Sequence, residues 1–490
     1  MKWLAAAALL VLVGTTGCGS QYRPVITPVQ PTGPAAQPTA YAVVFSQPGL
    51  VPPTQLSASA VPCPGSSFGN SGFAEYANPG VVTILDFSGD SVMAQAQLGV
   101  GPLTFALDAA GANAYSLNCD NTISTVPIET SLQTKLVLRS TLFADAVPLN
   151  ALAVTGAQYI VEQGRNSVGA FTGSPAALKQ EVSVAPSVIS VTGIPAAQRV
   201  YAISQGNSNG GSLAWGQCSA PGSVSVNGEA DAIEVATNTI STRLPLGVCP
   251  VYGVTSADGQ RTFVMNRGSG TITVINDQLN TLDTNLNAAG TINLCNGASP
   301  CNAGPVYGQI YATSNLLVTA NYDNNTISII DVSLDIYGND SPTFGKVLAT
   351  VPVGANPASL TILQDGSRVY TANEGDGTVT VVNLVSYTPQ ATIAVQGTPT
   401  SPNLVAPGHP LIPQPRTIDS AYNYPIGKVY VTAQNSPYVT IIRTDTDVVS
   451  ATVQVQGNVV DLHTTAQYTG TSATSGNLNT QSRAYGSGAP

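Results

Sequence analysis

The stretch VPVGANPASLTILQDGSRVYTANEGDGTVTVVN, residues 351–383, decides the fold of this 490-residue chain. It contains short runs in which apolar and polar residues alternate, a pattern typical of half-buried β-strands. Asp365-Gly366 separates the first two runs, and the polar turn 374–377 separates the second from the third. Both segments favour tight hairpins. The stretch therefore predicts consecutive antiparallel strands, the second of which ends at the amide residue Asn373.

The same sequence pattern recurs along the chain. It consists of an alternating apolar run, an amide residue, a short polar turn and a second alternating run. The clearest copies are RTFVMNRGSGTITVIND (261–277), LLVTANYDNNTISIID (316–331), VYTANEGDGTVTVVN (369–383) and KVYVTAQNSPYVTIIRTD (428–445). Looser copies start at Tyr41, Ala114, Tyr159 and Val200. The eight amides are Gln47, Asn118, Gln163, Gln205, Asn266, Asn321, Asn373 and Gln434. We interpret them as structural, because a side-chain amide at a strand end satisfies the polar groups of the turn.

A second marker has the same period. A proline that opens another apolar strand precedes seven of these amides by 15 to 19 residues. The prolines are Pro102, Pro148, Pro186, Pro250, Pro305, Pro357 and Pro415. The first amide, Gln47, has no such strand before it, whereas the last such strand, 458–465, has no repeat after it.

This offset predicts how the chain closes. We expect an all-β fold, a single β-propeller of four-stranded antiparallel blades, with the C-terminal strand supplying the missing inner strand of the first blade. A ring closed in this way leaves no open sheet edge. The markers indicate eight blades, with seven as the alternative.

The stretch 351–383 resembles the repeats of the YVTN-repeat β-propeller family of bacterial and archaeal envelopes. The resemblance is good over about 250–460 and diffuse over 41–200. It implies a propeller, often of seven blades, in a surface or periplasmic protein. Related propellers include lactonases and the haem-binding domain of dissimilatory nitrite reductases, so the resemblance leaves the function open.

The N-terminus, MKWLAAAALLVLVGTTGC, resembles a bacterial lipoprotein signal peptide. Its apolar run is too short to span a bilayer. The resemblance implies that Cys18 is lipidated and that the protein is anchored to the cell envelope, with the outer membrane favoured because Gly19 is not Asp. We expect a signal peptide at 1–18, a Pro-rich linker at 19–40, the propeller at 41–466 and a disordered Gly/Ser/Thr/Asn tail at 467–490.

The composition excludes several classes of protein. Charged residues make up 9% of the chain, Lys and Arg number 16, and the net charge is −10. Such a chain has no basic surface for nucleic acid. Two histidines and the absence of any C-x-x-C spacing argue against a metal centre. We expect no metal and no cofactor.

Apart from Cys18, six cysteines remain, and an even number in an exported protein favours disulfides. With strands lettered A to D from the ring centre outward, the B–C and D–A connections share one face, which we call the loop face. All six cysteines fall on the loop face, as do the long loops 48–79, 206–222, 294–305 and 398–414. We predict the bonds Cys63–Cys119, Cys218–Cys249 and Cys295–Cys301.

Few residues suggest chemistry. Asp461 and His463 are two apart on the last inner strand and share one side of it, as a general base and its orienting acid would. The alternative is a structural pair that seals the ring. Trp215 is either a binding anchor in its loop or packed beneath it. His409 is the only other possible haem ligand, and Gly206-Asn207-Ser208-Asn209-Gly210 matches G-x-S-x-G without the helix that this motif requires.

The leading hypothesis is a non-enzymatic, lipid-anchored envelope protein that binds a partner protein or polymer through its loop face. We expect a monomer that contacts the membrane only through its N-terminal lipid and does not bind nucleic acid. The alternatives are a hydrolase of the lactonase class and, with less support, a tetrapyrrole-binding propeller. The scarcity of His, Arg and Lys argues against an enzyme.

Overall fold

The computed structural model describes residues 41–48, 61–62, 75–76, 78–208, 211–212, 226–295, 297, 301–311, 315–396, 413–423, 426–433, 436–465 and 480–483. These residues form eight four-stranded antiparallel blades arranged in a ring, with 3% of the chain helical. The predicted eight-bladed propeller is confirmed. No helix among the described residues is long and apolar enough to cross a membrane.

Within each blade the strands follow one another from A at the ring centre to D at the outside. Blade 1 contains Asn458–Thr464, Tyr41–Gln47, Pro79–Asp86 and Val92–Val100. Blade 2 contains Pro102–Leu107, Asn113–Asn118, Thr122–Pro127 and Leu138–Thr141. Blade 3 contains Pro148–Val154, Ala157–Glu162, Ser167–Thr172 and Ala177–Ser183. Blade 4 contains Val188–Thr192, Arg199–Ser204, Asn227–Glu234 and Thr239–Val248.

Blade 5 contains Pro250–Thr255, Arg261–Asn266, Thr271–Asn276 and an outer edge made by Thr281–Leu282 and Thr291–Asn293. Blade 6 contains Pro305–Tyr311, Leu316–Asn321, Thr326–Asp331 and Val347–Pro352. Blade 7 contains Pro357–Ile362, Arg368–Asn373, Thr378–Asn383 and Thr388–Ala394. Blade 8 contains Pro415–Asn423, Ile426–Ala433, Tyr438–Arg443 and Val448–Gln454.

Short elements decorate the connections. The helix Ile128–Thr134 joins strands C and D of blade 2, and the 3₁₀ turn Gln163–Arg165 joins strands B and C of blade 3. Two small hairpins lie in B–C connections, Val61–Pro62 with Glu75–Tyr76 and Asn207–Ser208 with Gly211–Ser212. The second hairpin includes Ser208 of the G-x-S-x-G match, so this serine does not lie on a strand-to-helix elbow.

The C-terminal strand closes the ring as predicted. It pairs antiparallel with the first strand of the chain, with Ala42 opposite Thr464 and Gln47 opposite Asn458. Each A strand also contacts the A strand of the next blade around the full circle. The backbone N–H of Tyr41 donates to Thr465 Oγ1 at 2.9 Å, which fixes the chain where the two ends of the propeller meet.

Where strand B ends in an asparagine, the amide is structural, as the sequence indicated. In blades 3 and 4 the prediction is one residue off, because Glu162 and Ser204 occupy this position instead of Gln163 and Gln205. Asn373 is fully buried at the end of strand B, and its Nδ2 donates to Thr378 Oγ1 at 3.0 Å and to Thr380 Oγ1 at 2.9 Å on strand C. Asn266 and Asn321 make the equivalent pairs of bonds in their own blades. Gln434 lies outside the described residues.

All eight A strands contain a bulge near their start, where one residue is skipped in the pairing with strand B. A bulge changes the direction of the side chain that follows it. The residue after the bulge is polar in every blade, although the strands themselves are mostly apolar. These residues are Thr104, Asn150, Ser190, Tyr252, Tyr307, Ser359, Thr417 and Asp461.

Candidate functional site

The innermost strands bring three titratable side chains together at the ring centre. His463 Nε2 lies 3.8 Å from Asp461 Oδ2, and His463 Nδ1 lies 3.9 Å from Asp419 Oδ2. All three residues are buried. The sequence predicted that Asp461 and His463 share one side of the last strand, and the structure places them together. The third member, Asp419, was missed.

The imidazole of His463 packs against an aromatic ring as well as lying beside the two carboxylates. Its ring meets Phe105 edge to face, with centroids 4.8 Å apart and an interplanar angle of 79°. This contact fixes the orientation of the imidazole and supports a structural role for His463.

The two carboxylates are bonded to the backbone of the neighbouring blade. Asp419 Oδ2 accepts from the N–H of Thr464 at 2.8 Å, and Asp461 Oδ2 accepts from the N–H of Phe105 at 3.3 Å. Asp461 Oδ2 also accepts from Thr104 Oγ1 at 2.8 Å. Both aspartates therefore join one inner strand to the next.

A segment near the C-terminus, Thr480 to Arg483, lies among these inner strands. The Arg483 guanidinium donates to Asp461 Oδ1 at 2.9 Å and to the carbonyl oxygens of Leu462 at 2.8 Å and Ile418 at 2.6 Å. We expected this segment to belong to a disordered tail, and for these four residues that expectation is wrong. The rest of the predicted tail, 467–479 and 484–490, lies outside the described residues.

The charged groups of this cluster influence one another's pKa values. Burial raises the pKa of Asp419 to about 6, and the nearby Arg483 opposes that rise. Burial disfavours the charge of Arg483, but the carboxylates of Asp461 and Asp419 and the neighbouring tyrosines outweigh it, so the pKa of the guanidinium is raised. The rings of Tyr252 and Tyr307 stack beside it with centroids 4.9 Å apart, and burial raises the pKa of both phenols.

The carboxylate and carbonyl oxygens at the ring centre suit a peptide cation better than a metal ion. In the part of the chain that the structure describes, no three His, Cys, Asp or Glu side chains are arranged to hold a metal. The carboxylates already accept backbone N–H groups and a guanidinium, so few of their lone pairs remain for another ligand.

The loop face carries the described cysteines. Cys295 and Cys301 form a disulfide within the D–A connection of blade 5, as predicted. Cys119 follows strand B of blade 2, Cys249 precedes strand A of blade 5, and each is disulfide-bonded. Their predicted partners Cys63 and Cys218 lie outside the described residues, so these two pairings stay predictions. Cys18, Trp215 and His409 also lie outside them.

A separate polar cleft of about 800 Å³ lies between blades 1 and 2. Its walls include the amides of Gln95 and Gln97 on strand D of blade 1 and the cations Lys135 and Arg139 beyond the helix of blade 2. Arg139 already uses one of its donors, because it donates to the carbonyl oxygen of Leu98. No pattern in the sequence indicated this cleft, since its walls come from two different repeats.

Comparison with known proteins gives the fold alone. No protein-family model matches the chain, and no curated protein sequence matches it. Among solved structures, AztD of Citrobacter koseri superposes with a TM-score of 0.54 and 12% identity, covering 87% of this chain and 97% of AztD. The structure of apo AztD gives a TM-score of 0.54, 13% identity and the same coverage. A functionally unknown protein from Desulfotomaculum acetoxidans DSM 771 covers 73% of this chain and 98% of its own, with a TM-score of 0.47 and 14% identity. The chain is thus similar in fold to AztD.

Proposed function

We propose that this protein is a lipid-anchored cell-envelope propeller of the YVTN-repeat type, which binds a partner protein or polymer through its loop face. The observation that carries this proposal is the position of the disulfides. Cys119, Cys249 and the Cys295–Cys301 pair all lie on connections of the loop face. Disulfides there fit an exported protein and restrain the loops that would make the contact.

The direction of the chain supports this assignment. Strand B runs from the A–B connection to the B–C connection, so Tyr41, the first residue of strand B of blade 1, lies on the face opposite the loop face. The chain therefore enters the propeller on the face opposite the loops that we propose make the contact.

A hydrolase of the lactonase class is less well supported. Asp419 and Asp461 are the carboxylates that the inner strands place at the ring centre beside His463, and both are already bonded to backbone N–H groups of the neighbouring blade. Asp461 is also paired with Arg483. A tetrapyrrole-binding role has no supporting observation, because both nitrogens of His463 lie beside carboxylates.

Site-specific photo-crosslinking in intact cells tests the proposed binding face. Crosslinking residues replace Asn302 and Asn324, exposed on the loop face, and as matched controls Ile336 and Val385, which are 91% and 82% exposed on the opposite face. We expect one discrete adduct from the loop-face positions that disappears in the double variant Cys295→Ser, Cys301→Ser. Adducts from the opposite face alone, or from neither face, would contradict the proposal.

The anchor is tested separately. Replacement of Cys18 by Ser should release the protein from the membrane fraction and abolish incorporation of radiolabelled palmitate. A Cys18→Ser protein that still sediments with membranes and carries label would contradict the lipid anchor. This result would leave the proposal about the binding face unaffected.

A further inference from the structure

We propose that the centre of the propeller is a peptide-binding site for an extended segment that carries an arginine, and that the chain fills this site with its own residues 480–483. This site is distinct from the loop face, and its existence does not depend on the function proposed above. Three independent sets of contacts carry the inference: backbone pairing, a serine pocket and a guanidinium pocket.

The backbone of the segment extends a sheet. In the described blades an A strand pairs with a strand on its outer side, and its other edge faces the ring centre. Ser482 N–H donates to the carbonyl of Ala151 at 2.8 Å, and Ala153 N–H donates to the carbonyl of Thr480 at 2.6 Å. Gln481 forms an antiparallel bridge with Leu152. The segment therefore binds by strand addition, a mode that many peptide-binding proteins use.

A pocket on blade 3 binds the side chain of Ser482. Ser482 Oγ accepts from Asn150 Nδ2 at 2.9 Å and from the N–H of Ala151 at 2.8 Å, and Asn150 Nδ2 also donates to the carbonyl of Ser482 at 2.8 Å. Asn150 is the polar residue that follows the bulge of its strand. One residue earlier in the segment, Gln481 Nε2 donates to the carbonyl of Gly253 on blade 5 at 3.1 Å.

The guanidinium pocket selects arginine over lysine. Arg483 reaches one carboxylate and two carbonyl oxygens that belong to two different inner strands, and its cation lies 6.0 Å from the centroid of the Tyr307 ring. An ammonium group is a single point donor and cannot span these acceptors with the planar fork that a guanidinium provides. Asp461 is 1% exposed, so loss of the cation leaves a buried carboxylate without its counter-charge.

The geometry allows the chain to fill this site itself. The closing strand ends at Thr464 on the face opposite the loop face. The segment runs antiparallel to strand A of blade 3, so it enters from that same face. The intervening residues 466–479 could extend over roughly 45 Å, more than the reach that a return to the centre requires. The same contacts are available to any extended peptide with a serine followed by an arginine.

The test is peptide exchange into the folded full-length chain. A protease site inserted within 470–475 lets the tail be cut after folding, and a fluorescein-labelled peptide of residues 479–484 (NTQSRA) is then added in excess. We expect saturable one-to-one binding to the cut chain by fluorescence anisotropy and no binding to the uncut chain. A scrambled peptide should not bind, and a peptide with Lys at the position of Arg483 should bind at least tenfold more weakly.

Three outcomes would overturn the proposal. In the first, the cut chain stays folded and loses its tail on gel filtration, but it does not bind the peptide. In the second, the uncut chain binds the peptide as well as the cut chain does, and in the third, the lysine peptide binds as well as the arginine peptide. A second variant, Arg483→Ala in the uncut chain, guards against failure of the cleavage. Its melting temperature should rise with ethylguanidinium and not with ethylammonium, whereas the unaltered protein should respond equally to both salts. An equal response of Arg483→Ala to the two salts would contradict the guanidinium pocket.

Discussion

Asp419 on strand A of blade 8 accepts a hydrogen bond from the backbone N–H of Thr464 on the closing strand, at 2.8 Å. The same relationship, from a side-chain acceptor to an N–H of the next inner strand, joins Asn150 to Val191 at 2.9 Å and Gln309 to Ile362 at 2.8 Å. Where the closing strand completes the ring, the carboxylate of Asp419 thus accepts the hydrogen bond between neighbouring inner strands that a neutral amide accepts elsewhere in the ring. The buried acids of the ring centre are first of all part of the architecture.

A buried ion network joins blades 5 and 6 and should dominate their stability. Arg261 is 2% exposed, and its Nε and Nη2 lie 2.7 Å from Asp283 Oδ2 and 2.8 Å from Asp340 Oδ1. Arg261→Met leaves both carboxylates uncompensated and should lower the free energy of unfolding by about 3–5 kcal/mol. The exposed pair Arg443–Asp445 provides the control, since Arg443→Met should change it by about 0–1 kcal/mol. Equal effects of the two substitutions in urea unfolding would contradict this account.

The repeated amide should be needed for stability and not for binding. Asn373→Ala removes two hydrogen bonds to strand C, one of them buried, and we expect a loss of about 1–3 kcal/mol in thermal or urea unfolding. Asn324→Ala, at an exposed turn of the neighbouring blade, should change stability by less than about 0.5 kcal/mol. A neutral Asn373→Ala would show that the amide does not clamp strand B to strand C.

Glu162 should make the protein less stable as the pH rises from 5.5 to 8. It is fully buried on blade 3, and burial, together with the nearby Glu181, raises its pKa from 4.5 to about 7. The folded state therefore holds the proton more tightly than the unfolded state, and this stabilisation is lost as the pH rises through about 7. Glu162→Gln should raise stability at pH 8 by up to about 3 kcal/mol, and this gain should shrink as the pH falls and vanish only below about 4.5, the unfolded pKa of Glu162.

The neighbouring Glu181 should respond with the opposite sign. Its hydrogen bonds to Arg165 lower its pKa, so it stabilises the folded state at neutral pH and loses that effect as the pH falls through its folded pKa. Glu181→Gln should therefore destabilise the protein at pH 7. Melting temperatures of both variants across this pH range check the two signs, and a common direction at pH 8 would contradict them.

Peptide mapping without reduction should find the disulfides Cys63–Cys119 and Cys218–Cys249 beside the observed Cys295–Cys301. By sequence, each predicted partner belongs to a B–C connection, and the described strands that flank this connection meet the face on which Cys119 and Cys249 lie. Free thiols at Cys63 or Cys218, or a bond between residues of distant blades, would remove the basis for a restrained loop face.

The fold could be predicted because its signals are local. Alternating runs, Asp-Gly turns and the amide-to-hydroxyl bond of residues such as Asn373 and Thr378 all lie within one blade. The ring closure could be predicted as well, because the strand containing Asp461 has no repeat after it. These features repeat with the blade and therefore reinforce one another in the sequence.

The ring centre could be predicted only in part. Asp461 and His463 were found because two residues of one strand share a side, whereas Asp419 reaches them across a blade boundary. Alignment of the strand after Pro415 with the closing strand would have placed Asp419 level with His463. Arg483 was missed because its segment has the composition of a disordered tail, and its position depends on backbone pairing and one ion pair rather than on an apolar pattern.

A ring centre that the chain fills with its own residues 480–483 leaves the loop face as the surface for a partner. Hydrogen exchange of the amides of Ser482 and Ala153, followed by mass spectrometry, reports on this filling, because each amide donates across the contact between the segment and blade 3. We expect both amides to exchange at least about 100-fold more slowly than in an unfolded peptide, and Arg483→Ala to remove the protection of Ser482. Exchange of Ser482 at the rate of an unfolded peptide in the unaltered protein would contradict this expectation.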